Sequence, residues 1–256
     1  MPRSIRKALG VRTVKAAKAA ASSSRTKGGI RLRQNSPSAS STHVNTVLKQ
    51  LSDEDEVLSD VIKVVGPPTS LTSRWTDQAG DAFLSLVKSI TSQQLSGKAA
   101  ATIFSRVEAG CNGRITPLSI INTDKEVLRS MGLSYRKAEY LKDLAGKFQS
   151  GELTDQKLRS SSTEEVMASL LKVKGLGEWS VHMFQIFHLG CENVLPVGDL
   201  AVKKGAAALY CKGKKIVTPK ELEHIANKWD PYKSYGSWYM WQANKYLELK
   251  RSSEDT

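Results

Sequence analysis

No acidic residue occurs before Asp53, and this absence locates the charge of the whole chain. The 256 residues carry a formal net charge of +13, and eleven basic side chains from Arg3 to Lys49 precede Asp53, leaving +2 for the rest. The basic character is therefore a property of the amino-terminal end and says little about the folded part. Long apolar runs are missing too: no stretch of about 18 apolar residues exists, so no membrane-spanning helix and no membrane partner are expected. Cysteine is scarce. Cys111, Cys191 and Cys211 are an odd number without metal-ligand spacing, which excludes a disulfide framework and fits a reducing compartment. Strand-like alternation is almost absent.

What is present is enough for one domain with tails. Residues 1–42 are rich in Ala, Ser, Lys and Arg and have almost no large apolar side chains. Such a segment cannot offset its ordering entropy and is expected to be disordered. Its composition suits a targeting segment, nuclear in the first place and mitochondrial or dual in the alternative, or an arm that tethers DNA by releasing counterions. Residues 43–250 are expected to form a helical domain, and 251–256 a short disordered tail.

Apolar residues recur at helical spacing through most of that domain. The pattern predicts helices over Val44–Val65, Phe83–Gln94, Ser96 to about Ala109, Thr123–Met131, Ser134–Gly151, Thr163–Leu171, Gly177–Gly190, Asp199–Tyr210, Pro219–Trp229 and Pro231–Leu249. Ser96 and Thr163 are the candidate N-caps. The fold class is all-α, about ten helices in one compact unit.

The most informative stretch is Leu170-Leu171-Lys172-Val173-Lys174-Gly175-Leu176-Gly177-Glu178-Trp179. It reads as a helix, a Gly-x-Gly hairpin and a second helix, with Leu176 packing down to bind the two. Glycines permit a turn closed to other residues. The unpaired N–H groups at the start of the second helix then suit a phosphate. A bare Gly-x-Gly is equally an ordinary turn. About twenty residues on comes Pro196-Val197-Gly198-Asp199-Leu200-Ala201-Val202-Lys203, in which Asp199 is either a helix cap, a reactive carboxylate, or both. Six aromatics crowd into positions 229–241 against 7% in the whole chain. Trp229, Tyr232 and Trp238 are read as core by default.

The hairpin Leu-x-x-Val-x-Gly-Leu-Gly-x-Trp followed by Pro-x-x-Asp resembles the helix-hairpin-helix DNA glycosylases, and among them the 3-methyladenine branch. The resemblance spans roughly Gly80 to Leu249. It implies a helix-hairpin-helix glycosylase fold of two lobes with the active site in the cleft. It also implies base-excision repair on double-stranded DNA by a monomer: an alkylated purine is flipped out and its N-glycosidic bond hydrolysed, with Asp199 as catalytic carboxylate. Trp179 stands where related lyases carry a Schiff-base lysine, which speaks for hydrolysis without strand cleavage. The four-cysteine cluster of iron–sulfur relatives is missing. A bifunctional glycosylase/lyase and a non-catalytic DNA-binding module are the alternatives.

By the same resemblance Trp179, Trp241 and Tyr235 line the base pocket. Gly175, Gly177, Lys174 and Lys203 meet the DNA backbone, and Gln94 or Leu95 is the intercalating wedge. No cofactor is required. A structural Na+ or K+ is implied at the hairpin, on the main-chain carbonyls of Leu171, Val173 and Gly175. Lys98 is either a phosphate contact or a surface lysine. Arg136 and Lys137 are expected as a solvated helix start, and His182 and His188 as packed or surface residues.

Overall fold

The computed structural model describes residues 40–76 and 81–254. Of the expected tail over residues 1–42, residues 1–39 lie outside the described residues, as do Asp255 and Thr256, whereas Ser41 and Thr42 belong to the first helix. Among the described residues there are fifteen α-helices and no strands. No helix among them is long and apolar enough to cross a membrane.

Helix α1 (Ser41–Glu54) starts where the Ser40 hydroxyl accepts the His43 N–H, and it buries Val44, Val47 and Leu51. Helix α2 (Glu56–Val65) follows after a single residue. The expected continuous helix Val44–Val65 is thus broken at Asp55. Its backbone is extended, and its carboxylate caps α2 by accepting the Leu58 N–H at 3.1 Å. Two aromatic donors reach the same carboxylate from far along the chain, and no helix could run through Asp55 and keep that capping geometry.

After Gly66-Pro67-Pro68 comes α3 (Thr69–Thr76), then α4 (Ala82–Ser92), capped by Asp81, and α5 (Gly97–Gly110), capped by Ser96 as expected. Next are α6 (Pro117–Asn122), α7 (Lys125–Ser130), α8 (Tyr135–Gln149), α9 (Asp155–Ser160) and α10 (Thr163–Leu170). The N-cap of α10 is Ser162 rather than Thr163, because Ser162 and Glu165 satisfy each other's backbone N–H in a capping box. Helix α11 (Glu178–Phe184) passes into the π-helical turn Gln185–Leu189, which Gly190 ends at φ 69°. The chain closes with α12 (Leu200–Tyr210), α13 (Pro219–Ala226), α14 (Lys233–Trp241) and α15 (Ala243–Glu254). Helix α15 runs through residues 251–254, which were expected to belong to a tail. The helices not anticipated (α3, α6, α9) have eight, six and six residues, too few to display a helical period.

Two sets of helices carry the core. One comprises α1, α2 and α12 to α15; the other comprises α4 to α11, with α3 packed on the π-helical turn. In the first set α12 meets α14 so closely that a Cβ on Gly205 would lie 2.1 Å from the Met240 carbonyl. Two aromatic contacts tie the sets together. Trp75, which donates to the Ile186 carbonyl of the π-helical turn at 2.7 Å, meets Tyr235 edge-on at 5.4 Å, and Phe187 stacks on Trp241 at 5.5 Å.

Candidate active site

Asp199 stands where the two sets meet. The loop before it is pinned from the start of α14. Ser234, fully buried, donates to the Cys191 carbonyl at 2.6 Å and accepts the Val194 N–H at 3.0 Å, and its own N–H goes to the Glu192 carbonyl. His43 of α1 meets the Glu192 carboxylate at 2.6 Å. The loop then delivers Asp199 to the N-cap of α12, where Oδ1 accepts the Val202 N–H at 2.9 Å. The helix cap and the candidate carboxylate are one residue.

Two indoles complete the carboxylate's surroundings. Trp179, on the first turn of α11, donates Nε1–H to Oδ2 at 2.6 Å. Trp241, at the end of α14, donates Nε1–H to Oδ1 at 3.1 Å. Asp199 is only 7% exposed, yet Trp179 is 51% exposed, so the carboxylate sits just under an open surface. Burial pushes the Asp199 carboxyl up. Hydrogen bonds from Trp179, the Val202 N–H, Trp241 and the Ala201 N–H together outweigh it and hold the group below the ordinary aspartate value. Asp199 is therefore an anion at neutral pH.

The hairpin is built as the sequence predicts, with one correction. Gly175 has φ 82°, and a Cβ there would lie 2.1 Å from the Tyr140 ring, so only glycine fits. Gly177, at the N-cap of α11, has φ −106° and open space at its Cβ position, so the turn does not require it. What its lack of a side chain provides is access to the backbone. Leu176 is buried as expected. Lys174 is exposed but engaged: its N–H donates to Asp143 at 2.9 Å and its ammonium lies 3.6 Å from Glu139. Lys203 lies four residues after Asp199, on the same face of α12.

Gln94 and Leu95 lie in the loop between α4 and α5, both exposed, with Gln94 in the left-handed region at φ 57°. Lys98 and Arg136 are exposed. Lys137 is not a solvated residue: it is half-buried and donates to the carbonyls of Thr91 and Gln93. Tyr235 is corrected from pocket wall to core. It is fully buried, edge-on to Trp75 and Tyr232, with its hydroxyl 3.3 Å from Glu192. His182 is half-buried. His188 is buried and stacked on Phe184; burial, reinforced by Arg159, holds its imidazole down at about 4 and hence neutral. Among the described residues no cluster of His, Cys, Asp and Glu could hold a metal ion.

A cavity of about 530 Å³ opens between α3, α4, α5 and α11 with its π-helical turn. Its apolar wall is Phe104, Met183, Phe184 and Phe187; Arg74 and Lys88 stand at its polar side, each cation about 5 Å from a ring centre. Asp199, Trp179 and Trp241 are not among its lining residues. Phe187 joins the two parts, since it walls the cavity and stacks on Trp241. Sequence reasoning passed over Met183 and Phe187, although they continue a four-residue step from Trp179 along one helical face.

A glycine hairpin between two helices, a buried anion at the next helix start, and an aromatic cavity joined to it through the Phe187–Trp241 stack define a nucleic-acid repair site of the helix-hairpin-helix kind. The chain belongs to the HhH-GPD superfamily of base excision DNA repair proteins, whose profile matches residues 87–231. It is 32% identical over 207 residues to DNA-3-methyladenine glycosylase 1 of Schizosaccharomyces pombe, covering 78% of this chain and 88% of that one. The structure of a Schizosaccharomyces pombe 3-methyladenine DNA glycosylase in complex with abasic DNA superposes with a TM-score of 0.66 at 32% identity, over 78% of this chain and 97% of that one. A Bacillus halodurans DNA-3-methyladenine glycosidase superposes with a TM-score of 0.71, also at 32% identity, over 81% and 95%.

Proposed function

We propose that the protein is a monofunctional DNA glycosylase that binds duplex DNA as a monomer, extrudes an alkylated purine of the 3-methyladenine type and hydrolyses its N-glycosidic bond. The observation that carries this reading is the carboxylate of Asp199, held by two indoles and a main-chain N–H, kept ionised, and linked to the aromatic cavity through Trp241 and Phe187. Cleavage of the glycosidic bond builds positive charge on the sugar. A fixed anion stabilises that charge without having to reorganise. An alkylated purine carries positive charge of its own and departs as a neutral base, so little leaving-group assistance is needed. A carboxylate with a depressed pKa is a weak base. Its role is therefore electrostatic, and the attacking water needs only orientation from it.

Trp179 supplies an indole donor where a lyase would need an amine, so the product is an abasic site with an intact backbone. The extruded base enters the cavity walled by Phe104, Met183, Phe184 and Phe187, where stacking on aromatic faces holds it. Gly177 leaves the hairpin backbone open to a DNA phosphate. A structural Na+ or K+ at the hairpin belongs to the same reading. The carbonyls of Val173 and Gly175 each accept one hydrogen bond, from the Leu176 N–H and from Gln93. Each keeps a lone pair, and the Leu171 carbonyl completes the donor set. The basic amino-terminal segment supports a nuclear destination, and its acid-free, Arg- and Ser-rich composition supports a mitochondrial or dual one as the alternative.

The test is to incubate duplex DNA bearing methylated purines with wild type and with Asp199→Asn. Free base from wild type alone, with strand scission only after alkali, is the expected result. Direct strand scission would make the protein a lyase. Binding without release of base, unchanged by the substitution, would make it a DNA-binding module.

A further inference from the structure

Helix α4 ends at Ser92, and the carbonyls in its last turn have no partner within the helix. Lys137 of α8 reaches across to them. Its ammonium donates to the Thr91 carbonyl at 2.7 Å and to the Gln93 carbonyl at 2.6 Å. A cation at a helix C-terminus is favourable in itself. Gln93, held in this way, donates its side-chain amide to the Gly175 carbonyl at 2.8 Å. The loop that exposes Gln94 and Leu95 is thus tied directly to the hairpin.

The same face of α8 also grips the hairpin. Tyr140, three residues after Lys137, fills the space against Gly175, and Asp143, three further on, accepts the Lys174 N–H at 2.9 Å. One helix therefore fixes both DNA-facing loops. Gln94 keeps its left-handed backbone within this frame, and such a conformation in a non-glycine residue persists only where the surroundings enforce it. The distance between the two loops matters for extrusion of a base. One loop must enter the stack while the other holds a phosphate, and slack between them wastes the push on the base.

We infer that Lys137 is a positioning residue for base extrusion, setting the loop of Gln94 and Leu95 in register with the hairpin at Gly175. This rests on the base-excision reading given above. Lysine 137 touches neither lesion nor sugar; it acts through the loop. Its contribution is largest where the lesion must be pulled from a stable pair and smallest where no opposing base exists.

The experiment is single-turnover release of 7-methylguanine from two duplexes, one with cytosine opposite the lesion and one with a tetrahydrofuran abasic analogue there. Wild type, Lys137→Met and Lys137→Arg are compared, with circular dichroism melting as the check on folding. Lys137→Met should lose about tenfold on the paired lesion, as expected for misplaced groups remote from the chemistry, and about twofold or less on the unpaired one. Lys137→Arg, which can still donate to both carbonyls, should recover most of the loss. Equal losses on the two duplexes, or no loss on either, would overturn the inference while leaving the glycosylase reading intact. A wild type that releases no base from either duplex would overturn both.

Discussion

Two aspartates in this molecule have the same local chemistry. Asp55 and Asp199 each cap a helix, each is nearly inaccessible, and each accepts hydrogen bonds from two aromatic side chains. Asp55 takes Tyr210 Oη–H at 2.8 Å and Trp229 Nε1–H at 3.0 Å. Asp199 takes Trp179 at 2.6 Å and Trp241 at 3.1 Å. The difference lies in what the donors face. Trp229 is fully buried, so Asp55 is sealed among α1, α2, α12 and the turn after α13. Trp179 is half exposed, and Trp241 stacks on a cavity wall, so Asp199 is covered by groups that a bound substrate can also touch. Burial and hydrogen bonding alone do not make a carboxylate functional; the surface its partners present does.

The strongest way to break this comparison is to substitute both residues alike. Asp199→Asn keeps the cap and removes the charge, so base release should fall about a thousandfold in single-turnover assays, in the range of a lost transition-state contact. Its melting temperature should fall by less than that of Asp55→Asn, because Trp179, the donor left facing the amide, is half exposed. Asp55→Asn places an amide against two buried donors, and urea unfolding should show a loss of about 2–3 kcal/mol with release rates little changed. If Asp55→Asn abolished release in a stably folded protein, the division between the two sites would be wrong.

How far the sequence alone reveals this division depends on distance along the chain. The hairpin and the cap at Asp199 rest on local signals: glycines at a turn, and an aspartate before an apolar helix. The fold class follows from periodicity in the longer helices. Asp55 also precedes an apolar helix, but it lies inside a continuous apolar period, and the partners that single it out are 155 and 174 residues away. Without them the stretch from Val44 to Val65 reads as one helix. Tyr235 and Trp241 show the opposite case. They share an aromatic run, but six residues are not a whole number of helical turns, so they face different ways. One is core and the other reaches the carboxylate. The cavity residues Met183 and Phe187 are spaced legibly, yet their role appears only once α4 and α5 are packed opposite.

The hairpin allows a smaller and cleaner separation of the same kind, between a residue needed for shape and one needed for access. Gly175→Ala must force a side chain into the left-handed region and against the Tyr140 ring. A stability loss of about 1–3 kcal/mol is expected. Gly177→Ala meets nothing within 4 Å and has an ordinary φ. Its stability should stay within about 0.5 kcal/mol of wild type, while its affinity for duplex DNA falls, because the new methyl stands where the backbone is open. Equal unfolding midpoints for the two variants would remove the distinction.

The finest test exchanges one indole donor at each carboxylate for a ring of similar shape. Trp229→Phe should lower stability by about 1–2 kcal/mol, the cost of an unmet hydrogen bond at a buried acceptor, and leave base release unaltered. Trp179→Phe should instead lower base release by about tenfold, the equivalent of one such bond lost at the site. It should also change the pH profile. Asp199 is held below its ordinary value, so release is complete above that folded value and is lost as pH falls through it. Burial, which pushes the group up, is little altered by phenylalanine. The first of the donors that pull it down is gone, so the acid limb of the profile must begin at a higher pH. A limb that stayed in place would mean that the group titrating in the profile is not Asp199, and the electrostatic role assigned to it would then lose its main support.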